Sequence, residues 1–380
     1  MKTLLKCRGR NRAAYFLSDP EHLGRPFDEA IFLALRRLGY QVDVFTTATP
    51  KSCDHAFIDR FDLGLKTFDY GARWLGKRFF DSSWKDYDVY LSCCSAPVPT
   101  AYLLSRRSRA KFVIACDEIY AGRIPPDPRF EWLAKYAMRK ADLTIITDLC
   151  RMPLQCDYAG LREGQQPFLE NCCACVDPRR LRQDKRSLRT QYGIPADMIL
   201  ISYAGTFHEA GGAGDFLSIL DFVDTSRVGL MIQTAGTMTD LVKQLLDRLS
   251  GYIPLWVFDK RTTYQQALSV TAMADIGFVV YTQAAPQFSL MGFSSQKLCN
   301  YLYLGQPVIA LRQPSFQILE DQGMAVLYDT KEQLPTCVQG LIEHIEEYRA
   351  NVEERYDRVI PPESERMRRL LAGLRPILLD

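Results

Sequence analysis

The sequence predicts an α/β protein built from two doubly wound parallel sheets. Buried-strand patterns alternate with amphipathic helical patterns along most of the chain, which is typical of parallel sheets covered by helices. The chain has 380 residues, more than one simple core usually organises. The alternation lapses once, at Phe168–Asp177 (FLENCCACVD), where we expect a connector between two domains.

The first predicted domain, residues 1–170, begins with a strand–helix–strand unit. The apolar runs Ala13–Leu17 and Val42–Phe45 predict strands, and an amphipathic run predicts a helix at Phe27–Leu38. The remaining elements are predicted as strands at Asp88–Cys93, Lys111–Cys116 and Ala141–Thr147 and a helix at Phe130–Lys140.

The loop after the first strand lies where open parallel sheets usually place ligands. Asp19 and His22 in this loop are therefore candidate site residues. The loop lacks the G-x-G-x-x-G pattern, which disfavours a dinucleotide cofactor. A dehydrogenase stays open as an alternative that an NAD titration would test.

The second predicted domain, residues 171–360, repeats the alternation, and a final helix follows a break at Pro361 and Pro362. We expect this final segment, residues 361–380, to pack back on the first domain. The predicted strands are Met198–Ala204, Val228–Gln233, Pro254–Phe258, Ile276–Tyr281 and Val308–Leu311; the predicted helices are Arg179–Tyr192, Leu241–Leu249, Thr263–Ala272, Gln296–Leu304, a helical region from Asp329 to Val359, and Glu363–Leu374.

The stretch Phe293–Leu311 (FSSQKLCNYLYLGQPVIAL) carries the clearest functional signal. Ser294 and Ser295 suit the N-cap of a helix, and Gly305 suits its C′ stop. Lys297 adds an ammonium to the first turn, beside free backbone N–H groups and the positive end of the helix dipole. Such a corner binds phosphate. The alternative is an ordinary capped helix.

Charge is unevenly distributed along the chain. Residues 1–150 contain 24 Lys and Arg against 18 Asp and Glu, whereas the rest contains 23 against 27. The first domain is therefore the better candidate to meet an anionic surface or acceptor. The positive charge is modest and forms no single run, which disfavours a nucleic-acid partner.

The twelve cysteines are scattered and form no C-x-x-C pair. The cluster Cys172, Cys173 and Cys175 has no nearby histidine, so a metal site there is a minor alternative and a reducing cytoplasm fits best. Neither the amino terminus nor the longest uncharged stretches have the length and apolarity of a signal peptide or a membrane span.

The segment Tyr70–Trp84 (YGARWLGKRFFDSSW) mixes aromatic and basic side chains. This composition suits a peripheral contact with lipid headgroups at the inner face of a membrane. The alternative is a helix that packs its aromatic residues on its own domain.

The stretch Phe293–Leu311 is close to the pattern S-S-x-K-L-x-(E/Q)-Y-x-x-x-G-x-P-V, with Asn300 at the (E/Q) position. It resembles the donor-site motif of GT-B glycosyltransferases of family 4 and of the bacterial exopolysaccharide β-glucuronosyltransferase type. The order of connector, basic helix and strand ending in glycine across Asn171–Gly205 is similar to their interdomain passage. The resemblance implies the GT-B fold, with two Rossmann-like domains facing across a cleft. It also implies a nucleotide-sugar donor held by the second domain and an acceptor by the first.

The resemblance assigns donor-side roles to residues of the second domain. Ser295, Gln296 and Lys297 would hold the diphosphate, Asn300 would stand where these families bind ribose with Glu or Gln, and Tyr281 would meet the sugar, as would Gln283 and Gln287. The two Glu residues spaced eight apart in family 4 are replaced by Gly292 and Asn300. The full donor-side set is Gly205, Thr206, Phe258, Asp259, Tyr281, Ser294, Ser295, Gln296, Lys297 and Asn300, with Lys260 or Arg261 as further leaving-group cations.

The glucuronosyltransferase type places a catalytic Asp after a strand in an A-x-D pattern, which Ala115-Cys116-Asp117 matches. The resemblance therefore implies that Asp117 is the base that takes the acceptor proton in an inverting transfer. Glu118, Asp19 and His22 are the alternatives, as is a purely structural Asp117. No D-x-D pair stands out, and a helix dipole with a lysine can neutralise a leaving diphosphate, so we expect no cofactor and no metal.

The resemblance thus implies a cytoplasmic glycosyltransferase that moves a sugar from a nucleotide-sugar, expected to be a UDP-sugar, to a glycan or lipid-linked glycan of the cell envelope. A retaining transferase of the same fold is one alternative. A sugar-nucleotide-binding protein without catalysis is another, because the paired Glu residues are missing.

Overall fold

The computed structural model describes residues 11–17, 23–47, 55–68, 86–93, 96–117, 128–162, 164–175, 185–207, 211–234, 246, 254–281 and 288–379. Contacts divide the chain into two compact units. Unit 1 comprises Met1–Cys172 and Ser364–Asp380, and unit 2 comprises Cys173–Glu363. The α/β class predicted from the sequence is confirmed, because each unit is a parallel sheet with helices.

Unit 1 contains a seven-stranded sheet in the order β3-β2-β1-β4-β5-β6-β7, with every pair parallel. Its strands are β1 Asn11–Leu17, β2 Tyr40–Thr46, β3 Gly64–Thr67, β4 Val89–Cys93, β5 Lys111–Cys116, β6 Leu143–Ile146 and β7 Phe168–Glu170. Its helices up to that point are α1 Pro26–Arg37, α2 His55–Phe61, α3 Val98–Ser108, α4 Pro128–Met138 and α5 Met152–Ala159.

The central strands of this sheet are apolar and lie in the core. In β1 the five residues from Ala13 to Leu17 are completely buried. Phe16 stacks on Phe45 of β2 with ring centroids 4.7 Å apart, and this aromatic contact holds neighbouring strands in register. Pro26 occupies the first turn of α1, where a missing N–H costs nothing.

Unit 2 contains a six-stranded parallel sheet in the order β10-β9-β8-β11-β12-β13. Its strands are β8 Ile199–Ala204, β9 Val228–Gln233, β10 Leu255–Phe258, β11 Ile276–Val279, β12 Val308–Leu311 and β13 Ala325–Tyr328. Its helices are α6 Lys185–Gln191, α7 Ala213–Ser218, α8 Tyr264–Thr271, α9 Gln296–Tyr303, α10 Gln317–Asp321, α11 Leu334–Glu343 and α12 Ile345–Val359.

Helix α9 lies close against β11 because that strand carries a glycine at the contact. A Cβ atom on Gly277 would stand 2.2 Å from the Tyr301 ring, so any side chain there would push α9 away. The Tyr301 hydroxyl donates to the carbonyl oxygen of Ser202 in β8 at 2.8 Å. Gly305, with φ of +74°, follows the C-cap of α9 as a C′ glycine.

The helix α13, Glu363–Leu378, belongs to unit 1. Met367, Leu370 and Leu374 are its buried side chains. Its last carbonyl groups reach β2, where the Tyr40 hydroxyl donates to Leu378 O at 2.8 Å. Unit 1 is therefore assembled from two separate parts of the sequence.

The structure differs from the sequence prediction at short elements. The segment expected to be only a connector contains β7, and three edge strands, β3, β7 and β13, were not predicted. Helix α3 was not predicted. The aromatic and basic segment Tyr70–Trp84 lies outside the described residues. No helix within the described part of the chain has the length and apolarity to span a bilayer.

Candidate functional site

Each sheet has one point at which the strand order reverses. In unit 2 this switch point lies between β8 and β11, and in unit 1 it lies between β1 and β4. Ligands of open α/β sheets bind at the carboxyl ends of the strands beside such a point.

The amino-terminal end of α9 stands beside the switch point of unit 2. Ser295 is its N-cap, and the Ser295 Oγ accepts a hydrogen bond from Leu298 N at 3.2 Å. Ser294 is not the cap; it belongs to the preceding turn Gly292–Ser294 and is buried. Within the described chain, no acceptor contacts the backbone N–H groups of Gln296 and Lys297, which are therefore free to bind an anion.

The ammonium group of Lys297 lies between two aromatic rings. Its Nζ is 4.7 Å from the centroid of Tyr203 in β8 and 4.5 Å from that of Tyr281, which follows β11. Among the described residues, no carboxylate and no hydrogen-bond acceptor contacts this ammonium. Burial lowers the pKa of Lys297 to about 7. The site therefore holds an ammonium group that no described carboxylate neutralises.

Both rings that flank Lys297 are fixed by their own hydroxyl groups. The Tyr203 hydroxyl donates to the carbonyl oxygen of Thr206 at 2.9 Å, and that of Tyr281 forms a 2.7 Å hydrogen bond with Ser295 Oγ. The Tyr281 ring also stacks on Phe288 at 6.0 Å. Sequence reasoning identified Tyr281 as a sugar contact but missed Tyr203, whose only signal is its place near the end of β8.

The loop that precedes α9 is held by a buried amide. Gln313 Oε1 accepts from Met291 N at 3.2 Å, and Gln313 Nε2 donates to Phe288 O at 2.7 Å. Ser315 Oγ accepts from Gly292 N at 3.1 Å. These bonds satisfy backbone groups of the loop and so fix the entry into α9. The sequence analysis missed Gln313, because nothing local marks it as a support.

Other predicted donor-side residues lie at neighbouring strand ends of unit 2. Gly205 and Thr206 are exposed at the end of β8, and Gly205 has a φ of +119° that favours glycine. Asn300 Oδ1 accepts a hydrogen bond from the Tyr264 hydroxyl at 2.7 Å, which leaves its amide N–H₂ for another partner. Lys260 and Arg261 are exposed.

Phe258 and Asp259 line a groove of about 600 Å³ at the edge of the second sheet. The Tyr192 ring packs edge-on against Phe258 with centroids 5.1 Å apart. The groove is also lined by Lys260 and Thr262 from the loop after β10 and by Gln266 from α8. It is a concave surface with an aromatic wall and several polar groups, as small-molecule sites commonly are.

Asp117 stands at the end of β5 in unit 1, next to the switch point of the first sheet. It is 7% exposed and forms a salt bridge with Arg25, whose Nη1 is 2.7 Å from Asp117 Oδ2. Cys93 Sγ, at the end of β4, lies 3.8 Å from Asp117 Oδ1. The other candidates on this side, Asp19, His22 and Glu118, lie outside the described residues, as do Gln283 and Gln287 of unit 2.

Arg25 also contacts Asp28, a fully buried carboxylate in the first turn of α1, through an Nε–Oδ2 hydrogen bond of 3.3 Å. The Tyr15 hydroxyl donates to the other oxygen of Asp28. Burial raises the pKa of Tyr15 well above its ordinary value and also raises that of Asp28, while Arg25 opposes the shift of Asp28. Sequence reasoning missed Asp28, although its spacing to Phe32 and Leu35 puts it on the core-facing stripe of α1.

Within the part of the chain that the structure describes, no group of three His, Cys, Asp or Glu side chains is placed to hold a metal ion. Cys172, Cys173 and Cys175 are buried.

No protein-family model and no curated protein sequence matches this chain. Solved structures do match it over nearly its whole length. HepE from Anabaena, crystallised with UDP and glucose, is 13% identical, with a TM-score of 0.74 over 96% of this chain and 100% of that one.

Two further solved structures extend the comparison. Sucrose-phosphate synthase from Thermosynechococcus elongatus is 13% identical, with a TM-score of 0.72 over 97% of this chain and 100% of that one. A Listeria monocytogenes protein described as a UDP-N-acetylglucosamine 2-epimerase is 12% identical, with a TM-score of 0.64 over 97% and 96% of the two chains. These structural similarities confirm the predicted GT-B fold. Because the sequence identities are this low, the similarities support the fold and not a particular activity.

Proposed function

We propose that the chain is a glycosyltransferase that takes a sugar from a UDP-sugar and binds the donor diphosphate at the amino-terminal end of α9. One observation carries this proposal. Lys297, two free backbone N–H groups and a helix dipole converge at the switch point of unit 2, and no described carboxylate neutralises them. An isolated buried cation is costly, and a diphosphate is the anion that fits a helix terminus.

The comparisons support UDP as the nucleotide, since HepE was crystallised with UDP and with UDP-glucose. In this proposal Ser295, Gln296 and Lys297 hold the diphosphate. The amide of Asn300 bonds the ribose, and Phe258 and Asp259 receive the base. Ser294 supports the turn before the helix.

The remaining donor-side residues surround these contacts. Tyr281 meets the sugar, Gly205 and Thr206 provide backbone that a ligand can approach, and Lys260 or Arg261 adds charge near the leaving group. As the sugar leaves the donor, negative charge grows on the diphosphate, and a fixed ammonium with oriented N–H groups stabilises it. Catalysis of this kind needs no metal. We therefore propose that the reaction is independent of metal ions.

The base in this proposal is Asp117 and the transfer inverts the anomeric configuration. The acceptor hydroxyl oxygen forms a bond to the anomeric carbon, the bond from that carbon to the diphosphate oxygen breaks, and the hydroxyl proton moves to Asp117. The electron pair of the broken bond leaves with UDP. Arg25 pairs with the Asp117 carboxylate and orients it before the reaction.

The acceptor we propose is a glycan or lipid-linked glycan of the cell envelope, met by unit 1 at the inner face of a membrane. The excess of basic residues in the first 150 positions supports an anionic acceptor or surface, and the composition of Tyr70–Trp84 supports a lipid contact. Binding to vesicles with and without anionic lipid tests this part separately.

The deciding experiment combines calorimetry with product analysis. We expect purified protein to bind UDP, and Lys297→Met to weaken that binding at least tenfold while the fold is retained. A panel of UDP-sugars is then incubated with acceptor extracts, and the anomeric proton of the product is read by NMR. Unchanged UDP affinity in the Lys297→Met variant would refute the diphosphate site.

The NMR readout also separates the other candidates. An axial-to-equatorial change at the anomeric carbon marks an inverting enzyme, and an unchanged configuration marks a retaining one. Binding without turnover would indicate a sugar-nucleotide-binding protein. A donor whose sugar changes configuration at C2 without any acceptor would favour an epimerase, the activity named for the Listeria protein.

A further inference from the structure

Helix α4 of unit 1 carries an exposed aromatic pair. Trp132 is 63% exposed, the highest value among the large apolar residues of the described chain. Its ring stacks on that of Tyr136, one turn further along the helix, with centroids 5.6 Å apart and an angle of 17° between the planes. Tyr136 is only half-buried, so the pair presents an aromatic surface to the solvent.

Basic side chains stand next to this aromatic pair. Lys140 follows the end of α4, and its Nζ lies 5.8 Å from the centroid of the Tyr136 ring, on the side of the helix that carries Trp132. Tyr136 also packs edge-on against Tyr102 of α3, and Arg106 stands one turn after Tyr102. Lys140 and Arg106 are exposed. We call Trp132, Tyr136, Lys140 and Arg106 together the α4 face.

The charge of the α4 face is positive. Within the described part of the chain, no carboxylate pairs with Arg106 or with Lys140. Glu131, the acid that precedes Trp132, forms a 3.0 Å salt bridge with Lys135 and is neutralised by it. Two exposed cations therefore flank the exposed aromatic rings.

A partner of the α4 face has to suit aromatic rings and cations together. Trp and Tyr side chains favour the boundary between the headgroups and acyl chains of a bilayer, where the ring meets apolar groups and its polar tip stays hydrated. Lys and Arg beside them are attracted to anionic headgroups, which their long side chains can reach. A soluble polyanion would pair with the cations but would leave the Trp132 ring in water. The combination favours an anionic bilayer.

We propose that the α4 face is a lipid-docking surface through which unit 1 binds to a bilayer that contains anionic phospholipids. This inference rests on the membrane contact included in the proposed function and assigns it to a surface other than Tyr70–Trp84. The two aromatic rings enter the interfacial region, and the two cations pair with headgroup phosphates. Docking in this way brings unit 1, and with it Asp117, to acceptors that are anchored in the bilayer.

The experiment is sedimentation of the full chain with vesicles of phosphatidylcholine, with and without phosphatidylglycerol. We expect binding to the vesicles that contain phosphatidylglycerol, and weaker binding as the salt concentration rises. Trp132→Ala should weaken this binding at least fivefold, because most of the aromatic area that enters the bilayer is lost. Lys140→Gln should weaken it about fivefold, because one basic side chain is lost.

Unit 2 supplies a matched control for each of these variants. Ile318→Ala truncates an exposed apolar side chain of α10, and Lys331→Gln removes a positive charge from an exposed residue after β13. Neither should change the affinity for vesicles. Thermal unfolding of each variant checks that both units remain folded.

A second measurement detects Trp132 itself. Brominated phospholipids quench the fluorescence of a tryptophan that enters the bilayer, and the chain has four tryptophans, at positions 74, 84, 132 and 256. Trp132→Phe keeps an aromatic ring and should remove most of the quenching. Quenching that persists in Trp132→Phe and disappears when Trp74 and Trp84 are both changed to Phe would assign the contact to Tyr70–Trp84 and overturn the proposal.

Three further results would overturn it. They are absence of binding to either kind of vesicle, vesicle binding that Trp132→Ala leaves unchanged, and equal losses in the unit 2 controls. Competition by soluble polyglutamate that does not depend on Trp132 would identify a polyanion as the partner and would also overturn it. The proposed donor site fails differently, by unchanged UDP affinity of Lys297→Met measured without vesicles, so the two failures are distinguishable.

Discussion

The two switch points have the same topology but opposite charge balance. At the first, Arg25 is paired with two buried carboxylates. At the second, Lys297 lies between two tyrosine rings and no described carboxylate contacts it. Arg25 is neutralised within its own unit, whereas Lys297 contacts no anion among the described residues. In our proposal this difference in charge compensation, more than strand order, distinguishes the proton-accepting site of unit 1 from the phosphate-binding site of unit 2.

The sharpest test of this contrast is Asp117→Asn. We expect transfer to fall by about 10³-fold, because general-base catalysis contributes about 10²–10⁴-fold. UDP affinity should stay within about twofold, since the change lies in unit 1. Calorimetry with UDP and a transfer assay measure the two effects. Loss of UDP binding would contradict the division of roles.

Lys297→Met tests the other half of the comparison. A charge-assisted contact to phosphate is worth about 1.5–3 kcal/mol, so UDP affinity should fall by roughly 10–100-fold. Methionine keeps the contact with both rings and removes only the charge. Arg25→Met is the crossed control, for which we expect unchanged UDP affinity. Equal losses of UDP affinity in Lys297→Met and Arg25→Met would contradict the proposed difference between the two sites.

The pH dependence of UDP binding tests whether Lys297 must be charged to bind the diphosphate. Because the pKa of Lys297 is about 7, the free protein loses the ammonium as pH rises above 7, and bound diphosphate favours its return. Affinity should therefore fall by up to about tenfold per pH unit above pH 7.5. Lys297→Arg, which stays charged, should give a flat profile between pH 7.5 and 9.5. Calorimetry in two buffers of different ionisation enthalpy should detect proton uptake in the wild type only.

Thermal unfolding gives a smaller effect with a fixed sign. The pKa of Lys297 is depressed in the folded state, from an ordinary value of 10.5 to about 7, so the unfolded chain holds an extra proton between those values. Stability of the ligand-free protein therefore rises with pH across that window. Lys297→Met should raise the Tm at pH 6.5 by roughly 2 °C and at pH 9.5 by less. A larger gain in Tm at pH 9.5 than at pH 6.5 would contradict a lowered pKa of Lys297 in the folded state.

The smallest expected effect is that of a chelator. If the helix end and Lys297 neutralise the leaving diphosphate, EDTA should leave the transfer rate within about 20% of its starting value. The control is a rate measured with added Mg²⁺. A strict requirement for Mg²⁺ would move part of the charge compensation from the protein to an ion.

Central strands were predictable because their residues are apolar on both faces. Lys111–Cys116, Val228–Gln233 and Val308–Leu311 occur with the predicted bounds. The edge strands β3 and β7 were not, because an edge strand needs no buried pattern. In β3, three of the four residues are exposed, and β7 has only three residues, all half-buried.

The candidate site was predictable only where one segment carries it. Ser295 and Lys297 share a helix turn, so a local pattern placed them together. Tyr203 and Tyr281 come from β8 and the end of β11, and their meeting around Lys297 depends on the strand order of the sheet. The same holds for Arg25 and Asp117, which are brought together by α1 and β5.

Helix α13 bears on how the protein is made. A ribosome releases the whole of unit 2 before it delivers Glu363–Leu378, the last element that unit 1 requires. Two groups of unit 1 lack their partners until then. The Leu169 side chain packs against Gly373 of α13, and the Tyr40 hydroxyl donates to Leu378 O. Unit 1 therefore acquires α13 only after unit 2 has been translated, and a stop codon near residue 360 would remove an element of unit 1, the unit that is translated first.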